Sequence, residues 1–371
     1  MRATKIVGIL VLMLAGATLR AAPKPWPAAK AARWGSQQPW LVGSNYIPSS
    51  AINQLEMWQA DTFDAGRIDT ELGWAENIGM NTMRVFLHDL AWQQDAEGFR
   101  KRLDGFLRIA DKHHIRPLLV LFDSCWDPDP QPGPQRQPRP GVHNSGWLQS
   151  PGTRALDDPA QYPRLEAWVK GVVGAFRNDQ RILGWDLWNE PDNTNGGSYR
   201  DPADKLQRVL ALLPRVFEWA RSVNPSQPLT SGVWQGDWSS PGSLSAMEKI
   251  QLDNSDIISF HSYDPADKFE ARVKSLVRYR RPILCTEYMA RPRGSTFQSI
   301  LPVAKKYQVG AINWGFVEGR TQTYLPWDSW QHPYVDHPPE TWFHDIFRED
   351  GTPYRQDEVN FIRGMVGMAR R

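Results

Sequence analysis

The stretch "RLEAWVKGVVGAFRNDQRILGWDLWNE" (residues 164–190) decides the fold. Its first part places Leu165, Trp168, Val169, Val172, Val173 and Phe176 at the three- and four-residue spacing of one helix face. Its second part, 182–190, is a nearly continuous apolar run that ends on Glu190 and meets Pro191. A strand without polar alternation is buried on both faces, as in a parallel sheet covered by helices. The question is why such a strand should end on a carboxylate between an amide and a proline.

The same unit recurs on both sides. Strand-like runs lie at 39–46, 80–87, 116–123, 182–190, 228–235, 256–263, 282–289 and 310–317. Helical runs follow them at 68–79, 98–115, 164–179, 203–224, 244–252, 269–281, 296–309 and 355–371, with Pro214 as a point for a kink. Eight strand–helix units in one chain predict an α/β fold, a closed (β/α)8 TIM barrel, read as one domain. An open doubly wound sheet is the alternative, but the phosphate-binding glycine turn it would carry after an early strand is absent from the sequence. Two long Pro-rich, aromatic loops follow the third strand (124–163) and the eighth (318–347), on the side where a barrel carries its specificity.

The N-terminus "MRATKIVGILVLMLAGATLRAAP" has Arg2 and Lys5 before a short apolar run, with small residues at 15–17 and 21–22. It reads as a secretory signal peptide over 1–22, followed by a leader at 23–38 and the barrel at 39–371, and it predicts a secreted or periplasmic protein. Three of the 43 basic residues lie in that segment, so 40 would face 41 acidic ones. A balance near zero points away from nucleic acid and from the membrane surface once the signal is removed. Cys125 and Cys285 are too few for a disulfide framework and are expected as free buried thiols. Eighteen Trp exceed the needs of a core. Most are expected to pack, and some to offer flat faces to sugars. The sequence is silent on oligomeric state.

Glu190 ends the fourth strand and Glu287 the seventh, in "PILCTEYMA", 97 residues on. In a closed barrel these ends face each other across the mouth, where two carboxylates can flank one bond. Cleavage of a glycosidic bond needs that pair: one protonates the leaving oxygen, the other meets the anomeric carbon. Arg84, in mid-strand between apolar neighbours, needs a buried anionic partner. Either it keeps one carboxylate ionised or it forms a barrel-mouth ion pair with no part in chemistry.

Over residues 41–346 the chain resembles the clan A glycoside hydrolases, and most of all glycoside hydrolase family 5, the cellulase and mannanase family. "WNEP" (188–191) is similar to the clan's acid/base motif. The resemblance implies Glu190 as acid/base, Asn189 on the sugar 2-hydroxyl, Glu287 as nucleophile and Arg84 as the group that holds it ionised. In "FHSY" (260–263) it implies Tyr263 on the nucleophile and His261 near the acid/base or the sugar. Trp314 in "INWGF" would floor the cleavage point. In place of the His that family members often carry after the third strand, the chain has Asp123, with Trp126 as an aromatic wall. Trp234, Trp327 and Asp89 are further candidates for sugar contact, Asp89 in the "HDLAW" stretch after the second strand.

The implied activity is that of a retaining glycoside hydrolase on β-linked, in the first instance β-1,4-linked, plant-type polysaccharide or oligosaccharide, with carbohydrate as the partner and no cofactor. A transglycosylase, or a carbohydrate-binding barrel without catalysis, are the alternatives. No metal site is expected, since His332, His337, His344, Asp336 and Asp345 lack ligand spacing.

Overall fold

The computed structural model describes residues 24–368. The segment read as a signal peptide lies outside them. The described part begins with helix α1 (Ala28–Ser36) and then runs β1 (Val42–Tyr46), α2 (Gln54–Trp58), α3 (Ala65–Asn77), β2 (Thr82–Phe86), α4 (Asp89–Gln94), α5 (Ala96–Lys112) and β3 (Leu118–Val120). After a long loop come α6 (Thr153–Asp157), α7 (Tyr162–Ala175), β4 (Gly184–Asp186), α8 (Lys205–Ser222), β5 (Leu229–Thr230), α9 (Ala246–Asn254) and β6 (Ile258–His261). The chain ends with α10 (Ala266–Leu276), β7 (Ile283–Glu287), α11 (Phe297–Lys306), β8 (Gly310–Asn313) and α12 (Gln356–Met365).

All strand pairs are parallel, in the order β5-β4-β3-β2-β1-β8-β7-β6. The seam between β5 and β6 is held by the Val233–Phe260 bridge and by Thr230 Oγ1 against Ser259 Oγ at 2.7 Å. The sheet is therefore a (β/α)8 TIM barrel, and the open sheet is excluded. Helix starts follow their sequence signals. Asp64 and Asp95 cap α3 and α5 through N–H groups three residues on, and Ser245 with Glu248 forms a capping box on α9.

The barrel interior is layered. At the bottom Leu41, Leu118, Leu183, Ile257, Leu284 and Ile312 form an apolar plug, covered from below by Trp34. Trp34 belongs to α1, so the stretch read as a leader is partly a structural element. Its Pro/Ala-rich composition hides a helix that docks under the barrel. Gly35 makes the approach possible, because a Cβ there would lie 2.5 Å from the Pro282 ring. Gly43, in β1, is required in the same way: a Cβ would meet the Thr82 carbonyl at 1.9 Å. Above the plug sits a polar layer centred on Arg84, and above that Phe86, Val120, Trp147 and Trp314.

Both cysteines are free and buried. No described helix is long and apolar enough to cross a membrane.

Candidate active site

Arg84 projects from the middle of β2 and is fully buried. Its five N–H donors meet five bonds: Nε and Nη2 to Asp186 Oδ2 (3.0 and 2.8 Å), Nη2 to Asn189 Oδ1 (2.7 Å), and Nη1 to Asn45 Oδ1 (3.0 Å) and Glu287 Oε1 (2.8 Å). Asn45 is the register partner of Arg84 on β1, so the two side chains point the same way. A guanidinium taken wholly out of water is tolerable only when saturated in this way.

Glu287 closes β7. Its Oε1 accepts from Arg84 and its Oε2 from the Tyr263 hydroxyl at 2.7 Å. Between β6 and β7 the register slips by one residue, so that His261 pairs with Glu287 after Phe260 has paired with Cys285. Such a bulge re-aims a strand end. Here it sets Glu287 beside His261.

Glu190 follows β4 in a left-handed backbone conformation, φ +41°, and opens a turn closed by the Asn193 N–H to the Glu190 carbonyl at 2.9 Å. Non-glycine residues enter that region at a cost, and such positions cluster at functional sites. Its Oε2 accepts from Asn193 Nδ2 (2.6 Å) and from the Cys125 thiol (3.3 Å), and its Oε1 lies 2.9 Å from His261 Nδ1. The two glutamates thus differ in their neighbours: neutral groups around Glu190, a cation and a phenol on Glu287.

Burial pushes the carboxyl of Glu190 above its ordinary range, and the Asn193 and Cys125 bonds offset this only in part. Burial and the neighbouring Glu190 push Glu287 up too, and Arg84 and Tyr263 oppose them. Burial lowers His261 to about 4, so its ring is neutral at neutral pH, and it raises the Cys125 thiol, which stays protonated. His261 Nδ1 is also 3.5 Å from Glu287 Oε2, and one donor atom each of Glu190, His261 and Glu287 fall within 4.8 Å of one another. That trio has the spacing of a metal site, but Arg84 at 2.8 Å from Glu287 sets a positive charge against any cation there.

A cavity of about 320 Å³ opens on this pair. Asp123, Trp126, Asn189, Trp234, Trp314 and Trp327 line it together with Glu190, Glu287 and Tyr263. Asp123 is tied to Asn189 Nδ2 (2.9 Å) and to Trp147 Nε1 (2.7 Å). Trp234 donates to Asp192 Oδ1 at 2.6 Å, and Tyr263 packs edge-on to Trp327 with centroids 5.0 Å apart.

One expected residue is not there. Asp89 begins α4, faces away from the cavity, and is held by Arg164 Nη1 at 2.6 Å and Ser150 Oγ at 2.7 Å. A carboxylate just past a strand end can turn outward into a helix start, and this one does. It forms a buried ion pair outside this cavity. The residues that sequence reasoning missed are Asn45, Cys125 and Asn193 around the charges, and His143, Asn144, Trp147 and Asn195 on the cavity wall. Asn45 had a signal, a polar residue in the apolar first strand. The others sit in loops without periodicity.

A closed barrel with two opposed carboxylates at its mouth, one of them on a buried arginine, defines the class of protein. The model of the cellulase family, glycosyl hydrolase family 5, matches residues 141–332, just over half of the chain. The chain belongs to glycosyl hydrolase family 5. Among curated proteins, mannan endo-1,4-β-mannosidase A of Emericella nidulans is 28% identical over 91 residues, which span 24% of this chain and 21% of that enzyme.

Solved structures share the fold at low identity. A Streptomyces cattleya GH5_18 protein in complex with Manβ1-4GlcNAc has TM-score 0.60 and 13% identity over 88% of this chain and 79% of that one. An exo-β-1,4-mannosidase from Opitutaceae bacterium strain TAV5 has TM-score 0.59 and 20% identity over 88% of this chain and 59% of that one. The endo-β-1,4-mannanase of Thermotoga petrophila has TM-score 0.57 and 13% identity over 90% and 77%.

Proposed function

We infer that this protein is an exported retaining β-glycoside hydrolase, with β-1,4-linked mannosides as its first candidate substrate. The observation that carries the reading is the asymmetry of the two carboxylates. Glu287, against Arg84 and the Tyr263 hydroxyl, is equipped to stay ionised and attack an anomeric carbon. Glu190, buried among neutral groups, is equipped to keep a proton until the leaving oxygen takes it. Oxygens within 4.8 Å of each other match the short separation (~5–5.5 Å between carboxyl groups) of retaining enzymes better than the ~6.5–9.5 Å that leaves room for a water in inverting ones.

The chemistry then has two steps. Glu287 forms a bond to the anomeric carbon as Glu190 gives its proton to the departing glycosidic oxygen. Glu190, now a carboxylate, takes a proton from water, which attacks the same carbon and releases Glu287. His261 Nδ1, poised between the two carboxyls, can donate to either carboxylate or accept from protonated Glu190, which fits a site whose charge moves between the two steps. The choice of mannosides rests on the mannosidase and mannanase activities by which the Emericella nidulans relative and the similar structures are named. The choice of export rests on the basic and apolar N-terminal segment.

The test is product release from β-mannans, β-glucans, xylans and aryl β-glycosides, with Glu287→Ala and Glu190→Gln beside the wild type. Activity on a mannan that both variants lose is the expected result. Near-normal hydrolysis of that polymer by Glu190→Gln would sink the assignment. Export is checked by sequencing the N-terminus of protein recovered outside the cytoplasm, which should begin near residue 23.

A further inference from the structure

The loops after β3 and β8 bind each other along their length. Tyr334 N–H donates to the Gly141 carbonyl and Asn144 N–H to that of Thr321, both at 2.9 Å. Gly141 N–H donates to Gln322 Oε1 at 2.9 Å, and His143 is held by Ser329 Oγ on its N–H (2.9 Å) and by the Leu325 carbonyl on its ring (2.8 Å). A Cβ at Gly141 would lie 2.5 Å from the Tyr334 backbone, so only glycine allows the approach. Trp330 then locks the seam. Its Nε1 donates to the His143 carbonyl at 3.0 Å, and its ring stacks on Trp126 at 5.2 Å and 7°.

This strap has a consequence for the cavity. The lining residues come from the ends of β3 to β8 and the loops that follow them, and none comes from β1, β2 or their loops. The mouth is nearly walled on that half: the space at the ends of β1 and β2, which shares Trp147 and Trp314 with the cavity, measures only about 20 Å³. At about 320 Å³ the space is at the small end of small-molecule sites, which run from ~300 to 1,000 Å³.

One residue of the wall has an unused side chain. Asn144 lines the cavity and is fully buried, yet neither its Oδ1 nor its Nδ2 has a hydrogen-bond partner. An unpaired buried amide is destabilising and calls for an explanation. Its acceptor and two donors match a pair of neighbouring sugar hydroxyls, each of which can both give and take a proton.

The geometry points to a dead-end site for one terminal sugar, closed by the strap and read by Asn144, so that the protein removes single sugars from the non-reducing ends of β-linked chains. This rests on the β-glycosidase reading above. The polarity follows from that reading: the leaving sugar lies on the side of Glu190, toward Asn193 and Trp234. The sugar attacked by Glu287 lies over Trp314, in the walled half.

The test uses the full chain on β-1,4-linked manno- and gluco-pentaoses tagged at the reducing end. The expected result is a tagged series that shortens by one sugar at a time, with only monosaccharide untagged. Untagged disaccharide or longer at early times, early release of a tagged single sugar, or cleavage of aryl glycosides without attack on either chain overturns the proposal and leaves the hydrolase reading standing. No cleavage of any glycoside overturns both.

Asn144 is tested with Asn144→Gly, since Asn144 has φ +51° and glycine keeps that backbone while removing only the amide. The expected result is a loss of roughly tenfold or more in kcat/KM on the preferred aryl glycoside, a smaller loss on its epimer, and no fall in Tm. A lower Tm with the epimer ratio unchanged would make Asn144 structural and overturn its role.

Discussion

The two ends of the barrel are both built around buried charge, and they use it differently. At the bottom, Asp256 accepts from Trp26 N–H (2.7 Å), Arg221 Nη1 (2.9 Å) and Leu229 N–H (2.9 Å), while Arg281 bridges the Asp256 and Trp26 carbonyls at 2.9 Å each. There one carboxylate is saturated, and its bonds tie Trp26, just before the start of α1, to β5 and to the end of α8. At the top, one arginine is shared by two carboxylates, a third carboxyl faces them, and Asp186 Oδ1 and the Asn144 amide are left unpaired. A complete network stabilises. An incomplete one is costly to hold and leaves groups free to act on a ligand. Changes at the top should therefore remove activity and spare stability, and changes at the bottom should do the reverse.

The largest effect is expected at the top. Glu287→Ala should lower kcat/KM by at least ~10⁴-fold on every glycoside, with only a small loss of Tm, because Arg84 loses one of its five bonds and keeps the four to Asp186, Asn189 and Asn45. Glu190→Gln should do the same on natural chains but spare the first step on aryl glycosides with good leaving groups, which need no proton. A Tm well below the wild type in both variants would break the comparison.

Asp256→Ala comes next. It strands Arg221 and unties α1, so unfolding should become easier by about 3 kcal/mol, read by urea denaturation, with kcat/KM unchanged.

Asp345, just behind the site, sharpens the comparison. Burial raises its carboxyl to about 7, and Thr323 Oγ1 at 2.9 and 3.0 Å from its oxygens, the Arg291 charge and the Tyr324 N–H offset this only in part. A raised acid adds stability that is full below its unfolded pKa of 3.8 and is lost as pH rises through about 7. Asp345→Asn, which mimics the protonated form, should thus gain on the wild type from pH 4 to pH 7 and keep a constant lead above. The lead should be on the order of a few kcal/mol, followed as Tm against pH. A lead that shrinks with rising pH would show that Asp345 is ionised in the fold.

Smallest is Tyr263→Phe. Losing a donor to the ionised form raises the pKa of Glu287, so the acid limb of kcat/KM should move up by about one pH unit. A limb that stays in place would mean that Glu287 does not set it.

Much of this contrast was legible in the chain. Both glutamates stand out because each closes an apolar strand, and Arg84 because a cation between Met83 and Val85 must find a buried partner. Periodicity is blind to what loops do in space. Cys125, Asn193 and Asn144 carry no pattern, and Asp89, which had one, turns outward to Arg164, 75 residues on. Helix α1 was hidden for another reason: Pro and Ala between a basic segment and the first strand read as a leader, and only Trp34 under the barrel makes them part of the fold.

The strap also sets a clock. Its halves are joined by bonds spanning 177 to 193 residues of sequence, so they cannot meet until β8 and the loop beyond it exist. Contacts of such range form late, because the closure entropy of the intervening chain has to be overcome first. At ~5–20 residues per second, the ribosome needs on the order of ten seconds or more to make the second half after the first. Through that interval the indoles of Trp126 and Trp147 lack part of their cover, and a newborn chain bears the face of its sugar site as a sticky surface before it bears it as a site.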